Sequence, residues 1–117
     1  MITIKETKEK MKADERWWKV HFYDFVDDFR FHKNARAVSE PFSFDNNKFD
    51  ALLASTIESL CNEMNLQTPD WTKEIPACDE PFFVSGFENL KATAIVESPL
   101  PFRIRKIFVT GSFLQRV

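Results

Sequence analysis

Two histidines and a row of carboxylates stand at helical spacing in the first third of the chain. His21, Asp24, Asp28 and His32 fall at i, i+3, i+7 and i+11, which makes one polar ribbon along a helix. Imidazoles and carboxylates in such a row are the ligand types that hold a transition metal in helical bundles. The same residues also suit an ordinary solvated face, with Asp28 four positions before His32 supporting the helix. The second reading is preferred, and no metal or cofactor is expected. Cys61 and Cys78 are the two cysteines and form no C-x-x-C pair. They read as free thiols, with Cys61 on an apolar helix face acting as a small hydrophobe. Glu58 flanks the same apolar stripe. It reads as a buried acid fit for proton transfer or, by preference, as the partner of an arginine at a helix junction. No catalytic residue is assigned.

Arg16 and His21 are separated by four residues, the Arg-x4–6-His spacing of a superfamily of helical bacterial ribonucleases. A match this short arises easily by chance, and the intervening Trp17, Trp18 and Val20 are bulky. The C-terminal segment is more distinctive. In Phe102-Arg103-Ile104-Arg105-Lys106-Ile107-Phe108, cations alternate with apolar groups. Arg103, Arg105 and Lys106 are candidate contacts to an anion or a partner, with Phe102 and Phe108 as anchors. The structural alternative, which is preferred, turns the apolar members inward and lets Arg103 and Arg105 bridge to acids elsewhere. Such acids are plentiful. The whole chain has 16 basic and 18 acidic residues, a net −2, while residues 99–117 carry four cations and no acid. The first 98 residues therefore sum to −6.

These groups must be positioned by a chain of 117 residues, long enough for one domain with its own core. It has 13 Phe and only 2 Gly. Gly86 and Gly111 satisfy neither a dinucleotide fingerprint nor a phosphate-binding loop, and so few glycines argue against an all-β sandwich. Hydrophobic residues are 44% and charged residues 29%, a globular composition. With no long apolar run and no signal-like N-terminus, a cytoplasmic location without membrane contact is expected.

Residues 1–13, with Lys5, Lys8, Lys10 and Lys12 among Glu6 and Glu9, read as a charged leader or a frayed extension of the first helix, and 14–117 as a single helical domain. Trp18, Phe22, Phe25, Val26 and Phe29 predict a helix over about 14–34. Phe49, Leu52, Leu53, Ile57, Leu60, Cys61 and Met64 predict a second, capped by Asp45 or Asn46. Thr68-Pro69-Asp70-Trp71 reads as a cap, a first-turn proline and an acid opening a short helix. Ser85-Gly86-Phe87-Glu88 has capping-box spacing, predicting a helix over about 86–96. The alternative is a hairpin within 92–110, which would make the fold α+β. Ser98-Pro99 then opens another short helix, Ile107–Val109 is extended, and Ser112–Val117 turns. Phe31, Phe42 and Phe44 lie off the stripes and are candidates for an exposed contact patch.

Three motifs carry a resemblance. Asn65-Leu66-Gln67-Thr68-Pro69-Asp70-Trp71, Glu80-Pro81-Phe82-Phe83 and the run from Ser98 to Val109 resemble an uncharacterised bacterial family of small helical proteins. That family has P-x-W, P-W-F and S-P-x-x-F-R-x-R-x-I-F-V motifs in this order, and the resemblance covers about residues 50–115. Pro69, Trp71, Pro81, Phe83, Ser98, Pro99, Phe102, Arg103, Arg105, Ile107 and Phe108 match. Phe82 departs where the family tends to have Trp, and Ser59 stands where a His is expected after Glu58. Loss of that pair favours structural or binding roles for Glu58, Pro69, Trp71, Phe83, Ser98, Pro99, Phe102 and Phe108. The resemblance implies a partner-binding protein in a regulatory or toxin–antitoxin-like setting. The expectation is thus an all-α domain of about four helices plus short turns, non-enzymatic, binding another protein. Nucleic-acid or nucleotide binding through the basic segment is the alternative, self-association is open, and a hydrolase or ribonuclease is disfavoured.

Overall fold

The first thirteen residues overturn the expectation of a leader. In the computed structural model, which describes residues 1–45, 47–85 and 90–115, Ile4–Ala13 form helix α1. Its start is a capping box: the Thr3 hydroxyl accepts the Glu6 N–H while the Glu6 carboxylate accepts the Thr3 N–H. Ile4, Thr7, Lys8 and Met11 fall at i, i+3, i+4 and i+7 and are buried, so α1 docks along one face like any amphipathic helix. The density of charge hid both signals.

A 3-10 turn at Glu15–Trp17 leads into α2, Trp18–His32. Phe22, Phe25, Val26 and Phe29 are its buried face, the expected stripe. Lys33 takes a left-handed φ of 51° and its N–H donates to the Phe29 carbonyl, ending the helix. After a second 3-10 turn at Ala35–Val38, α3 runs from Lys48 to Glu63. Its cap is Asn47, whose side chain accepts the Phe49 N–H. Asp45 is not the cap, and Asn46 lies outside the described residues. Phe49, Leu52, Leu53, Ile57, Leu60 and Cys61 are buried as the period requires.

Asp70–Glu74 form the short helix anticipated after Thr68, as a 3-10 turn. Its capping differs from expectation. Pro69 precedes the turn in extended geometry, and its carbonyl accepts from the Thr72 hydroxyl at 3.0 Å. Helix α4 spans Lys91–Glu97 and α5 spans Leu100–Arg103, so residues 92–97 and 100–103 are helical and the hairpin alternative does not form. Residues 86–89, where the capping box was read, lie outside the described residues. Strand β2, Ile107–Phe108, pairs in parallel with β1, Phe82–Phe83, in register Phe82 to Ile107 and Phe83 to Phe108.

The fold is therefore mainly α-helical, in keeping with the all-α expectation. The core gathers the buried faces of α1, α2 and α3, with Phe22, Phe25, Phe29, Leu52, Leu53 and Ile57 in one cluster that also takes in Phe102 and Ile107. The radius of gyration is 13.2 Å, the value for one compact domain of this length. Among the described residues, no helix is long and apolar enough to cross a membrane.

Candidate functional site at the C-terminal helices

Helix α5 is too short to be held by its own hydrogen bonds, so tertiary contacts fix it. Phe102 is buried beneath it, and Arg105, two residues past its end, supplies polar ties. Its guanidinium donates to both Glu58 carboxylate oxygens, at 2.5 and 3.0 Å. It also donates to the Ile75 carbonyl at 3.2 Å and the Thr72 carbonyl at 2.8 Å. Ser55, which bonds the Pro101 carbonyl at 2.8 Å, lies against the same guanidinium. The planar fork of Arg is suited to this many acceptors at once. Glu58 is thus the acid that meets an arginine at a helix junction. The expectation that Arg105 contacts an anion or partner is corrected: its side chain is 6% exposed and committed internally.

Arg103 is also corrected in part. Among the described residues it bridges to no acid; its guanidinium donates to the Val96 and Ser98 carbonyls, both at 3.0 Å. These are the C-terminal carbonyls of α4, where a cation is favoured. Arg103 remains exposed, as does Lys106. Lys106 adopts a left-handed φ of 61°, turning the chain from α5 into β2.

The other motif residues pack around this junction. Ser98, expected as a helix cap, is buried and accepts the Val109 N–H at 2.9 Å, with the Ala94 and Val109 carbonyls in reach of its hydroxyl. Pro99 offers its carbonyl to the Phe102 and Arg103 N–H groups. Phe102 is fully buried. Phe83 and Phe108 stack with centroids 5.0 Å apart. The Trp71 indole N–H donates to the Val38 carbonyl at 2.9 Å, and its ring meets Phe42 edge-on. Of the three off-stripe residues, Phe42 is buried while Phe31 and Phe44 are exposed.

Beside Arg103 and Lys106, large apolar side chains also stay exposed at the junction. Val96 is 75% exposed, Leu100 67% and Ile104 60%. Leu100 and Ile104 are one turn apart on α5, and the Arg103 guanidinium ties that turn to the Val96 carbonyl. Ile104 also borders a groove of about 270 Å³ lined by Lys73, Ile75 and Ala77. This corner is an apolar surface with Arg103 and Lys106 beside it, and both Lys73 and Glu58 line the groove.

The other candidates do not converge. His21 Nε2 is 3.2 Å from Asp14, and His32 Nε2 is 3.3 Å from Asp28, whose second oxygen accepts the Ile2 N–H. Among the described residues, no group of three or more His, Cys, Asp or Glu is placed to share a metal ion. The Arg16 guanidinium lies over the Trp17 ring. Burial pushes the Cys61 and Cys78 thiols above the ordinary thiol range, and Asp79 adds to the effect at Cys78. Cys78 lines a cleft of about 690 Å³ between the start of α3 and residues 75–82, together with Lys48, Asp79, Glu80 and Phe82.

A charged cluster that the sequence reading missed lies between α1 and the start of α3. Lys8 is buried and its ammonium donates to Asp50, to Asp45 at 3.2 Å and to the Ser43 carbonyl at 3.1 Å, with the Phe42 ring 4.9 Å away. Lys12 holds Asp45 from outside at 2.8 Å. The available signal was Lys8 sharing a helical face with Ile4 and Met11. Comparison with known proteins adds no further assignment: no family model, curated protein or solved structure matches the chain.

Proposed function

We propose that this domain is a non-enzymatic protein-interaction module whose contact face is the α4–α5 corner. The observation that carries this reading is the exposure of Val96, Leu100 and Ile104, on two short helices that the Arg103 guanidinium ties together at the Val96 carbonyl. Large apolar groups left in water at one place are an unsatisfied burial term that a partner removes. An arginine amid apolar contacts is a frequent binding anchor. The resemblance to small bacterial proteins of regulatory or toxin–antitoxin-like systems points the same way.

Binding of nucleic acid or a nucleotide is the weaker reading. With Arg105 internal, Arg103 and Lys106 are the exposed cations left in the basic segment, and Arg103 already serves two carbonyls. Hydrolysis is weaker still, because Glu58 is held by Arg105 and His21 by Asp14.

The test is a photo-reactive amino acid at Leu100, expressed in the source cells, with a control at exposed Lys10. The expected result is a discrete protein adduct from position 100 only. Absence of an adduct, or an adduct to nucleic acid, overturns the reading.

A further inference from the structure

We infer that the cleft between the start of α3 and residues 75–82 is a binding site for a small zwitterion with an apolar body, of the α-amino acid class. Its volume of about 690 Å³ lies in the range of small-molecule sites. None of Val96, Leu100 and Ile104 lines it, so the site stands whether or not the α4–α5 corner is a contact face.

Both walls are in place without a ligand. One is the opening of α3, capped by Asn47. The other is the loop 75–82, pinned to the C-terminal segment by two backbone bonds. The Cys78 N–H donates to the Arg105 carbonyl and the Phe82 N–H to the Lys106 carbonyl, both at 2.9 Å. Pro76 and Pro81 restrict the same loop further. A cleft built this way loses little conformational freedom on binding.

The charges around it decide what it takes. Asp50 is answered internally, by the Lys8 ammonium and the Asp45 N–H. The end of α3 does not by itself call for an anion, because the Asp50 carboxylate stands in its first turn and Asn47 accepts the Phe49 N–H. Lys48 is exposed, with its ammonium 5.0 Å from the Phe82 ring and 5.7 Å from the Phe49 ring. Asp79 and Glu80 are exposed, and among the described residues neither side chain is in an ion pair or hydrogen bond. Burial raises the Cys78 thiol and Asp79 raises it further, whereas Lys106 and Lys48 lower it. Asp79, Lys106 and Lys48 are therefore within electrostatic reach of one sulfur, yet among the described residues they form no ion pair with one another.

Opposite charges held near each other but unpaired, around an apolar lining, match a ligand that carries both signs. Its carboxylate answers Lys48, with Lys106 in reach, and its ammonium answers Asp79 and Glu80. Its side chain covers Ala51, Ile75 and Phe82. A ligand with one charge leaves half of this set unanswered and brings its own charge near like charges, which selects against it.

The test uses L-phenylalanine on the purified full chain, with phenethylamine and 3-phenylpropionate as its singly charged analogues. Binding is followed by titration calorimetry and by the alkylation rate of native Cys78, which lines the cleft. L-Phenylalanine is expected to give binding heat and to slow Cys78 alkylation over the same concentration range. Each analogue is expected to bind about tenfold more weakly or worse. Lys48→Met and the pair Asp79→Asn/Glu80→Gln, all at exposed positions, are each expected to raise the half-saturating concentration about tenfold. That midpoint is the readout, because the substitutions also change the intrinsic reactivity of Cys78. If Lys48→Met loses helical circular dichroism, Lys48→Gln replaces it. No binding of L-phenylalanine up to about 10 mM, equal binding of either analogue, or midpoints unmoved by both sets of substitutions overturns the inference. Binding heat without protection of Cys78 puts the amino acid elsewhere and overturns it as well.

Discussion

Arg105 and Glu58, 47 residues apart in sequence, face each other as a bidentate ion pair with side chains 6% and 17% exposed. The pair joins the C-terminal segment to the middle of α3, and the same guanidinium binds the Thr72 and Ile75 carbonyls. Arg105→Met leaves a mostly buried carboxylate and two carbonyls without their donor. The expected loss is about 3 kcal/mol of unfolding free energy, read from urea denaturation. Arg105→Lys is expected to recover little, since one ammonium cannot span these acceptors. Wild-type stability in either variant would show the pair to be incidental.

The Lys8–Asp50 pair does the same for α1. Lys8→Ala takes the ammonium away from Asp50, which is 2% exposed as a residue and keeps the Asp45 N–H, and is expected to cost about 3 kcal/mol. The double-mutant cycle with Asp50→Asn should show coupling of about 2 kcal/mol or more. Coupling near zero would mean that α1 is held by Ile4 and Met11 alone.

Asp45 sets part of the acid limb. Its carboxyl is held down to about 2, first by the hydrogen bond from Lys12 and then by Lys8. The unfolded chain has the ordinary value of about 3.9. Because the folded value is the lower one, the contribution is complete above about pH 4 and is lost as pH falls toward about 2. Asp45→Asn is expected to flatten stability against pH in that window and to leave the slope above pH 5 unchanged. Glu63, lowered by Arg30, acts in the same direction.

The two thiols should separate by access. Cys61 is fully buried inside α3 and Cys78 half-buried beside the cleft. At pH 8, a thiol reagent is expected to modify Cys78 slowly in the native protein and Cys61 only on unfolding. Equal rates at both sites would contradict the packing of α3.

Ser98→Ala removes the acceptor of the buried Val109 N–H. The expected cost is about 1–2 kcal/mol, measured by thermal denaturation, with α4 otherwise intact. Ser98→Thr keeps the oxygen but adds a methyl to a site already 2% exposed, so it should restore only part of the loss.

Where one periodic signal dominated, sequence and structure agree. The stripes of α2 and α3 are long, and each apolar step lands in the core. Glu58 beside an apolar stripe, and an arginine-rich segment far along the chain, were each legible, and the fold supplies their meeting. Residues 1–13 were misread because Lys8 looks like surface charge until Asp50 and Asp45 stand opposite it. Ser98 looked like a cap because Ser-Pro usually opens a helix; its hydroxyl is taken by Val109, a partner 11 residues away. The parallel pairing of Phe82–Phe83 with Ile107–Phe108 has no local sequence signature, since parallel strands are joined through intervening structure. Nor does any period report the α4–α5 corner, whose apolar groups are neither core nor polar surface.

The reach of Arg105 also bears on time. Its partners Ile75, Thr72 and Glu58 lie 30, 33 and 47 residues back along the chain. Closing loops of that length costs entropy before the guanidinium returns anything, so these contacts belong late on the folding route. Interactions absent from the transition state act on the rate of unfolding. Arg105→Met is therefore expected to speed unfolding more than it slows folding, as the two arms of a denaturant rate plot would show.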